Sequence, residues 1–246
     1  MSKAKKPDLF GPDLPNEAEI PHLTGPMVIP ADGSKPEQVV LLLHGVGSDG
    51  DDLINLATYF GKVLPKAIFI APNAPFRFDG GPMGHQWFSL ADPSNEKKLE
   101  GVQMSAPILN ALINHLLAEL GLDESKMALV GFSQGAMMAL HVGLRRVKPL
   151  AGIIGYSGAL VGGEKLADEI KSKPPVLLMH GDADPVVPPD MMHHAEDTMK
   201  AAGVPVAAYL CPGLAHGLDD MCIQLGMEFL AEMFGVDVLS VAGLKP

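Results

Sequence analysis

The chain has 246 residues, with 18 Lys and Arg against 29 Asp and Glu, for a formal charge of −11. That acidity excludes nucleic acid as a favoured partner, and an apolar share of 47% against 19% charged residues excludes a disordered chain and calls for a large core. Only Cys211 and Cys222 are present, too few for a disulfide scaffold and without the spacing of a zinc site, so both are expected as ordinary buried or free thiols.

In chain order, residues 1–37 hold seven prolines and little periodicity, and they read as an extended arm without chemistry. The basic start, Met1 to Lys6, meets Pro7, Asp8, Pro12, Asp13 and Pro15 where a signal peptide needs an apolar stretch, so a cytoplasmic location is expected. From Val39 onward, short apolar runs alternate with amphipathic ones. Val39–Leu43, Ala67–Ala71, Met127–Phe132, Gly152–Tyr156, Val176–Met179 and Val206–Leu210 predict strands, and runs apolar throughout suit strands buried on both faces. Helices are predicted around Asp51–Leu64, Val102–Leu120, Gly135–Arg146, Gly163–Ser172, Met191–Ala202 and Leu218–Phe234. Alternation of this kind gives one α/β domain, residues 38–236, with a parallel sheet between helices and a tail over 237–246. Met127 to Leu144 carries no Asp, Glu, Lys or Arg, but Gly131, Ser133, Gln134 and Gly135 divide it, so stable membrane insertion is not expected.

Ligands of open α/β sheets bind beyond the carboxyl ends of the strands, which makes the search for function short. Gly131-Phe132-Ser133-Gln134-Gly135 fits G-x-S-x-G, a serine on a sharp strand-to-helix turn. An apolar strand leads in, and a helical run ending in Arg145 and Arg146 leads out. A serine hydroxyl needs a base, and the base needs an acid to orient it. Of nine histidines, His216 alone follows the last strand in a flexible loop at the carboxyl edge. His115 and His141 lie inside helical runs, and His193 and His194 are adjacent. Asp184 is the expected acid, because Pro185 extends its backbone and Val186-Val187 can bury it, while Asp182 is expected to cap its own turn. The order Ser133, Asp184, His216 is that of an α/β-hydrolase. Backbone amides of Gln134 and Val46 are the expected oxyanion donors, with His44 bracing the glycine loop.

Gly45-Val46-Gly47-Ser48-Asp49-Gly50 also fits G-x-G-x-x-G, yet Asp49, Asp51 and Asp52 crowd the helix start that would hold a pyrophosphate, and no acidic residue follows the next strand to hold a ribose. Nicotinamide or flavin dinucleotide binding is therefore disfavoured. A metal site from His180, Asp182 and Asp184 is a further alternative, resting on their alternate spacing; no metal is expected.

These segments resemble the phospholipase/carboxylesterase group of α/β-hydrolases, which includes acyl-protein thioesterases. The likeness runs from about Val39 to Phe234 through Leu43-His44-Gly45-Val46-Gly47, Gln86-Trp87-Phe88, Gly131 to Ala136, His180 to Pro188, and His216-Gly217. It implies the α/β-hydrolase fold without a large lid, Ser133 as nucleophile, Asp184 as acid, His216 as base, and Val46 and Gln134 as amide donors. It further implies hydrolysis of small-molecule carboxylic esters of short to medium acyl length, with thioesters and lysophospholipids as extensions, no cofactor, and homodimerisation as one assembly state. Trp87, Phe88, Phe78, Met104, Val187 and Leu214 are candidates for an apolar acyl groove, with plain core as the competing reading of each. An acyltransferase, a dienelactone hydrolase and a non-catalytic ligand-binding protein are the rivals on the same fold; the elbow serine disfavours the dienelactone hydrolase, where cysteine is usual, and an intact Ser133, Asp184 and His216 disfavours the binding protein.

Overall fold

The structure, a computed structural model, describes residues 23–237. Seven strands form one sheet: β1 (Met27–Val28), β2 (Gln38–Leu43), β3 (Ala67–Ile70), β6 (Met127–Phe132), β7 (Gly152–Tyr156), β8 (Val176–Gly181) and β9 (Val206–Cys211), in the order β1-β3-β2-β6-β7-β8-β9. Every neighbouring pair is parallel except β1 with β3. A two-stranded antiparallel ribbon, β4 (Phe76–Arg77) and β5 (His85–Gln86), stands apart.

Alternation along the strands divides the core. Val39, Leu41, Leu43, Met127, Leu129, Ile153, Val176 and Leu178 face one layer, which holds α3 (Asn95–Leu120), α4 (Gln134–Arg145) and α6 (Asp190–Ala201). Val40, Leu42, Ala128, Val130, Ile154, Tyr156, Leu177 and Met179 face the other, which holds α1 (Gly50–Leu53), α2 (Ala57–Phe60) and α7 (Asp220–Met233). Both faces of β2 are wholly buried, and each such aliphatic side chain contributes about 1.5–3 kcal/mol relative to exposure. This is why those runs carry no polar alternation. A short α5 (Leu166–Glu169) completes the helices.

Four expectations are corrected. The arm does not extend to residue 37, because Met27 and Val28 pair with Ile70 and Phe69 and Leu23 is buried in the core; residues 1–22 lie outside the described residues, as does the tail beyond Asp237. The ribbon β4–β5 has no counterpart in the sequence reading, since two-residue strands present no period. The single helix over 51–64 is broken into α1, a 3₁₀ turn at Ile54–Leu56 and α2. Finally, α3 starts seven residues early, at Asn95, where Ser94 accepts from Lys97 N–H and the first turns are too polar to show a buried stripe. Met127 to Leu144 divides into β6 and α4, and among the described residues no helix is long and apolar enough to cross a membrane.

Candidate active site

The sheet order fixes where a ligand can sit. From β2 the chain moves outward to β3 on one side, while β6 to β9 build out on the other, so the switch point lies between β2 and β6. The register Leu43↔Gly131 brings the carboxyl ends of those strands level. The loop holding Val46 and the turn holding Ser133 therefore flank the same crevice.

Ser133 stands between β6 and α4 with φ 52° and ψ −114°, a backbone that an L-residue adopts at a cost of about 1–3 kcal/mol. Its N–H donates to Tyr156 O at 2.8 Å, and its carbonyl accepts from Ala136 and Met137, which ties the strained residue on both sides. The flanking glycines are required by contact. A Cβ at Gly131 would lie 2.4 Å from the Gly135 carbonyl group, and one at Gly135 would lie 1.9 Å from Leu43 O. Strand and helix close on each other only without those carbons.

Asp184 and His216 come together from different loops. His216 Nδ1 donates to Asp184 Oδ2 at 2.7 Å, while Oδ1 accepts the N–H groups of Val186 and Val187 at 2.8 and 3.0 Å. Burial alone would raise the Asp184 carboxyl, but the bonds from His216, Val187 and Val186 prevail and hold it below the usual carboxylate range. The group is thus ionised and acceptor-only, so His216 carries a proton on Nδ1, and in the neutral imidazole Nε2 is the nitrogen with the lone pair. The imidazole packs against the ring of Phe132, centroids 4.9 Å apart, beside Ser133 in sequence.

Several roles differ from expectation. Asp182 does not cap its own turn: Oδ1 accepts Gly213 N–H at 2.7 Å and fastens the His216 loop to the Asp184 loop. The His180, Asp182 and Asp184 set does not converge on a metal position, because the chain turns at Gly181, with Asp184 N–H on its carbonyl, and directs Asp182 elsewhere. His180 instead approaches the acid: its Nε2 lies 2.8 Å from Val187 O and 3.2 Å from Asp184 Oδ2, with both side chains buried. Sequence reasoning missed this second histidine on Asp184; its place four residues before the acid was the available signal.

The oxyanion candidates stand at the crevice. Gln134 opens α4, where a first-turn N–H has no intrahelical acceptor. In the glycine loop, Gly47 N–H goes to His85 O and Ser48 N–H to Gly45 O, whereas the Val46 amide has no protein acceptor among the described residues. His44 is fully engaged, Nδ1–H on Gly45 O at 2.7 Å and Nε2 accepting Ala74 N–H at 2.9 Å, and burial lowers its pKa. It braces the loop. The Gln134 side chain was also missed: it accepts from Trp87 N–H at 2.8 Å and donates to Phe88 O at 2.7 Å, locking the 87–88 segment to the elbow. In the G-x-G-x-x-G segment Asp49 already takes the N–H groups of Asp51 and Asp52, and Gly50 N–H goes to Asn73.

Of the groove candidates, Trp87 and Phe88 are wholly buried and belong to the core, Trp87 Nε1 donating to His44 O. Val187 is buried as well. Met104 is exposed on α3, in a hollow of about 320 Å³ shared with Ser89, Asp92, Lys97 and Glu100 and lined by none of Ser133, Asp184 and His216. Phe78 and Leu214 remain partly exposed, and Phe78 lies over Gly47 beside Val46.

Residues 24–234 match the phospholipase/carboxylesterase family. The chain belongs to that family. Similar relatives include Esterase YpfH of Escherichia coli, 26% identical over 82% of this chain and 86% of the relative. Acyl-protein thioesterase 1 of Schizosaccharomyces pombe is 35% identical over 61% of this chain and 69% of its own length. Among solved structures, esterase PE8 aligns with a TM-score of 0.82 and 41% identity, covering 86% of this chain and 99% of that one. The α/β-hydrolase fold and membership among the ester hydrolases follow; as a member of the phospholipase/carboxylesterase family the protein is an enzyme acting on small-molecule esters.

Proposed function

We propose that the protein cleaves carboxylic esters of short to medium acyl length through an acyl-enzyme on Ser133. His216 Nε2 takes the Ser133 proton as the hydroxyl attacks the acyl carbon, and the Val46 and Gln134 amides hold the tetrahedral oxyanion. The same proton then passes to the leaving alkoxide. Water, deprotonated by His216, releases the acid and restores the serine. Asp184 orients the imidazole and stabilises its charged form in both halves of the cycle.

The observation that carries this reading is the bond from His216 to a buried, ionised Asp184, made by an imidazole that packs on Phe132, the residue before a serine whose backbone is strained into the turn. Trp87, Phe88 and Val187 are buried and Met104 lies in a separate hollow, so we assign the partly exposed Phe78 and Leu214 to the acyl side. Relatives named acyl-protein thioesterase bring thioesters into the substrate range, where a thiolate leaves in place of the alkoxide.

The test is hydrolysis of a chromogenic ester series, with matched thioesters and lysophospholipids, by the native chain and by Ser133→Ala. The native chain is expected to favour short and medium oxygen esters. Ser133→Ala is expected to lose a factor of about 10⁴–10⁶ in kcat, since members of a triad act as a unit. Retention of native rates by that variant refutes the nucleophile.

A further inference from the structure

Cys211 ends β9 and Cys222 lies in the first turn of α7, and the segment between them carries His216. Both thiols are free and buried, and the Sγ atoms stand 3.0 Å apart. The backbones that present them are fixed independently. On the strand side, Cys211 O accepts the N–H groups of Asp182 and Leu214, and Ala183 N–H goes to Leu214 O. On the helix side, Asp219 caps Cys222 N–H at 2.8 Å, and Tyr156 Oη donates to Cys222 O at 3.1 Å. Two sulfurs are thus aimed at each other across the foot of the loop, and an approach of about 1 Å would bring them to bonding distance.

A metal would use the pair differently. Asp219 joins the two thiols with all ligand atoms within 4.8 Å. Two thiolates on one tetrahedral zinc, however, sit about 3.8 Å apart at bond lengths near 2.3 Å, the set supplies three ligands rather than four, and the Asp219 carboxylate is already committed to its helix cap. The spacing of the sulfurs suits a bond between them.

We propose that Cys211 and Cys222 form an oxidative modification site, closing to an intramolecular disulfide on reaction with a small-molecule disulfide such as oxidised glutathione. One thiol, deprotonated, attacks the reagent and releases one equivalent of its thiol, leaving a mixed disulfide. The second protein thiolate attacks the protein sulfur of that intermediate and releases the other equivalent. Two protein thiols are oxidised, one reagent disulfide is reduced, and the two protons end on the released thiols. Burial pushes both thiols up, so the reaction waits on openings of the segment between them, in which Pro212, Gly213 and Ala215 are exposed. Once formed, the bond staples the His216 loop to α7. Its catalytic significance rests on the reading of His216 as base, but its existence does not.

The native chain would be treated with oxidised glutathione, denatured, alkylated and weighed intact, with peptide mapping. A mass lower by two hydrogens, no alkylation, and a single peptide joining Cys211 to Cys222 are expected, all reversed by a phosphine reductant. The oxidised form should keep ester hydrolysis and melt about 5–10 °C higher, and Cys211→Ala and Cys222→Ala should each lose that gain. Two alkylated thiols after treatment, glutathione retained on either cysteine, cross-links between molecules, or zinc taken from a chromogenic chelator would each overturn the proposal. Because the primary readout is thiol chemistry, a failure here is separable from an inactive-triad result with Ser133→Ala.

Discussion

At Ser133 and Ser157 the backbone takes φ values of 52° and 47°, the two positive values at non-glycine positions among the described residues. The first has an evident place, the turn by which β6 passes into α4 between two glycines that leave no room for a Cβ. Ser157 follows β7, donates its N–H to Met179 O, and is 1% exposed with a hydroxyl that finds no partner. Backbone strain and an unsatisfied buried hydroxyl each cost about 1–3 kcal/mol. Glycine removes both at an entropic cost of about 0.5–1 kcal/mol. Ser157→Gly is therefore expected to raise the urea-unfolding free energy by about 1 kcal/mol, and a loss of stability would refute the argument. His180 is the other residue whose role is set by contact. Its Nε2 bonds Val187 O and lies 3.2 Å from Asp184 Oδ2, so it fixes the segment whose Val187 N–H holds that carboxylate. His180→Leu should lower kcat about 10–100-fold with KM retained, on the scale of general acid–base effects, and His180→Gln, which keeps a donor, should recover part of the loss. Equal falls for both variants would mean that packing alone is at stake.

At the scale of elements, the buried strands were legible because their chemistry is uniform. Met127–Phe132 and Gly152–Tyr156 coincide with β6 and β7, and β2, β3, β8 and β9 differ by one or two terminal residues. What escaped was carried by contacts rather than pattern. His85 and Gln86 form a strand because Gly47 N–H and Ser48 O bind the His85 backbone, which no period announces. Trp87 and Phe88 invite a groove reading as aromatics near a motif, and only their burial beneath the Gln134 amide assigns them to the core. Asp182 finds its partner 31 residues away, at Gly213, beyond the reach of local turn rules. The glycine pattern of the elbow, by contrast, is legible and carries a prediction. Gly135→Ala places a carbon 1.9 Å from Leu43 O and 2.8 Å from His44 O, main-chain atoms that cannot rotate away. Overpacking of this kind costs about 1–3 kcal/mol or more, and it would part β2 from α4 at the Val46 loop. Reduced expression of folded protein or a much lower melting point is expected, while native stability would show that the elbow can relax.

Across the whole molecule, the surplus of acidic groups keeps the surface negative, yet the pH response of stability is set by a few buried sites. His141 lies inside α4, 3% exposed, and burial, reinforced by the Arg145 charge, lowers its pKa from 6.5 to about 4, with Glu169 opposing. Asp184 is displaced in the acidic direction for the reasons given above. The two act in different windows. Between pH 6.5 and about 4 the unfolded chain binds a proton at position 141 that the folded chain refuses, so stability falls as the solution is acidified through that range. The Asp184 contribution is intact throughout it, being present above the unfolded carboxyl value of about 3.9 and lost only below. Of the loss between pH 7 and pH 4, up to about 3 kcal/mol is thus assigned to His141, and buried His44, whose pKa is also lowered, adds in the same direction. Urea titrations at half-unit steps on the native chain and on His141→Gln separate the terms: the variant should be the less sensitive to acid above pH 4, and the two curves should steepen together below it. Parallel curves from pH 7 to pH 4 would show that the imidazole titrates in the folded chain as it does in water.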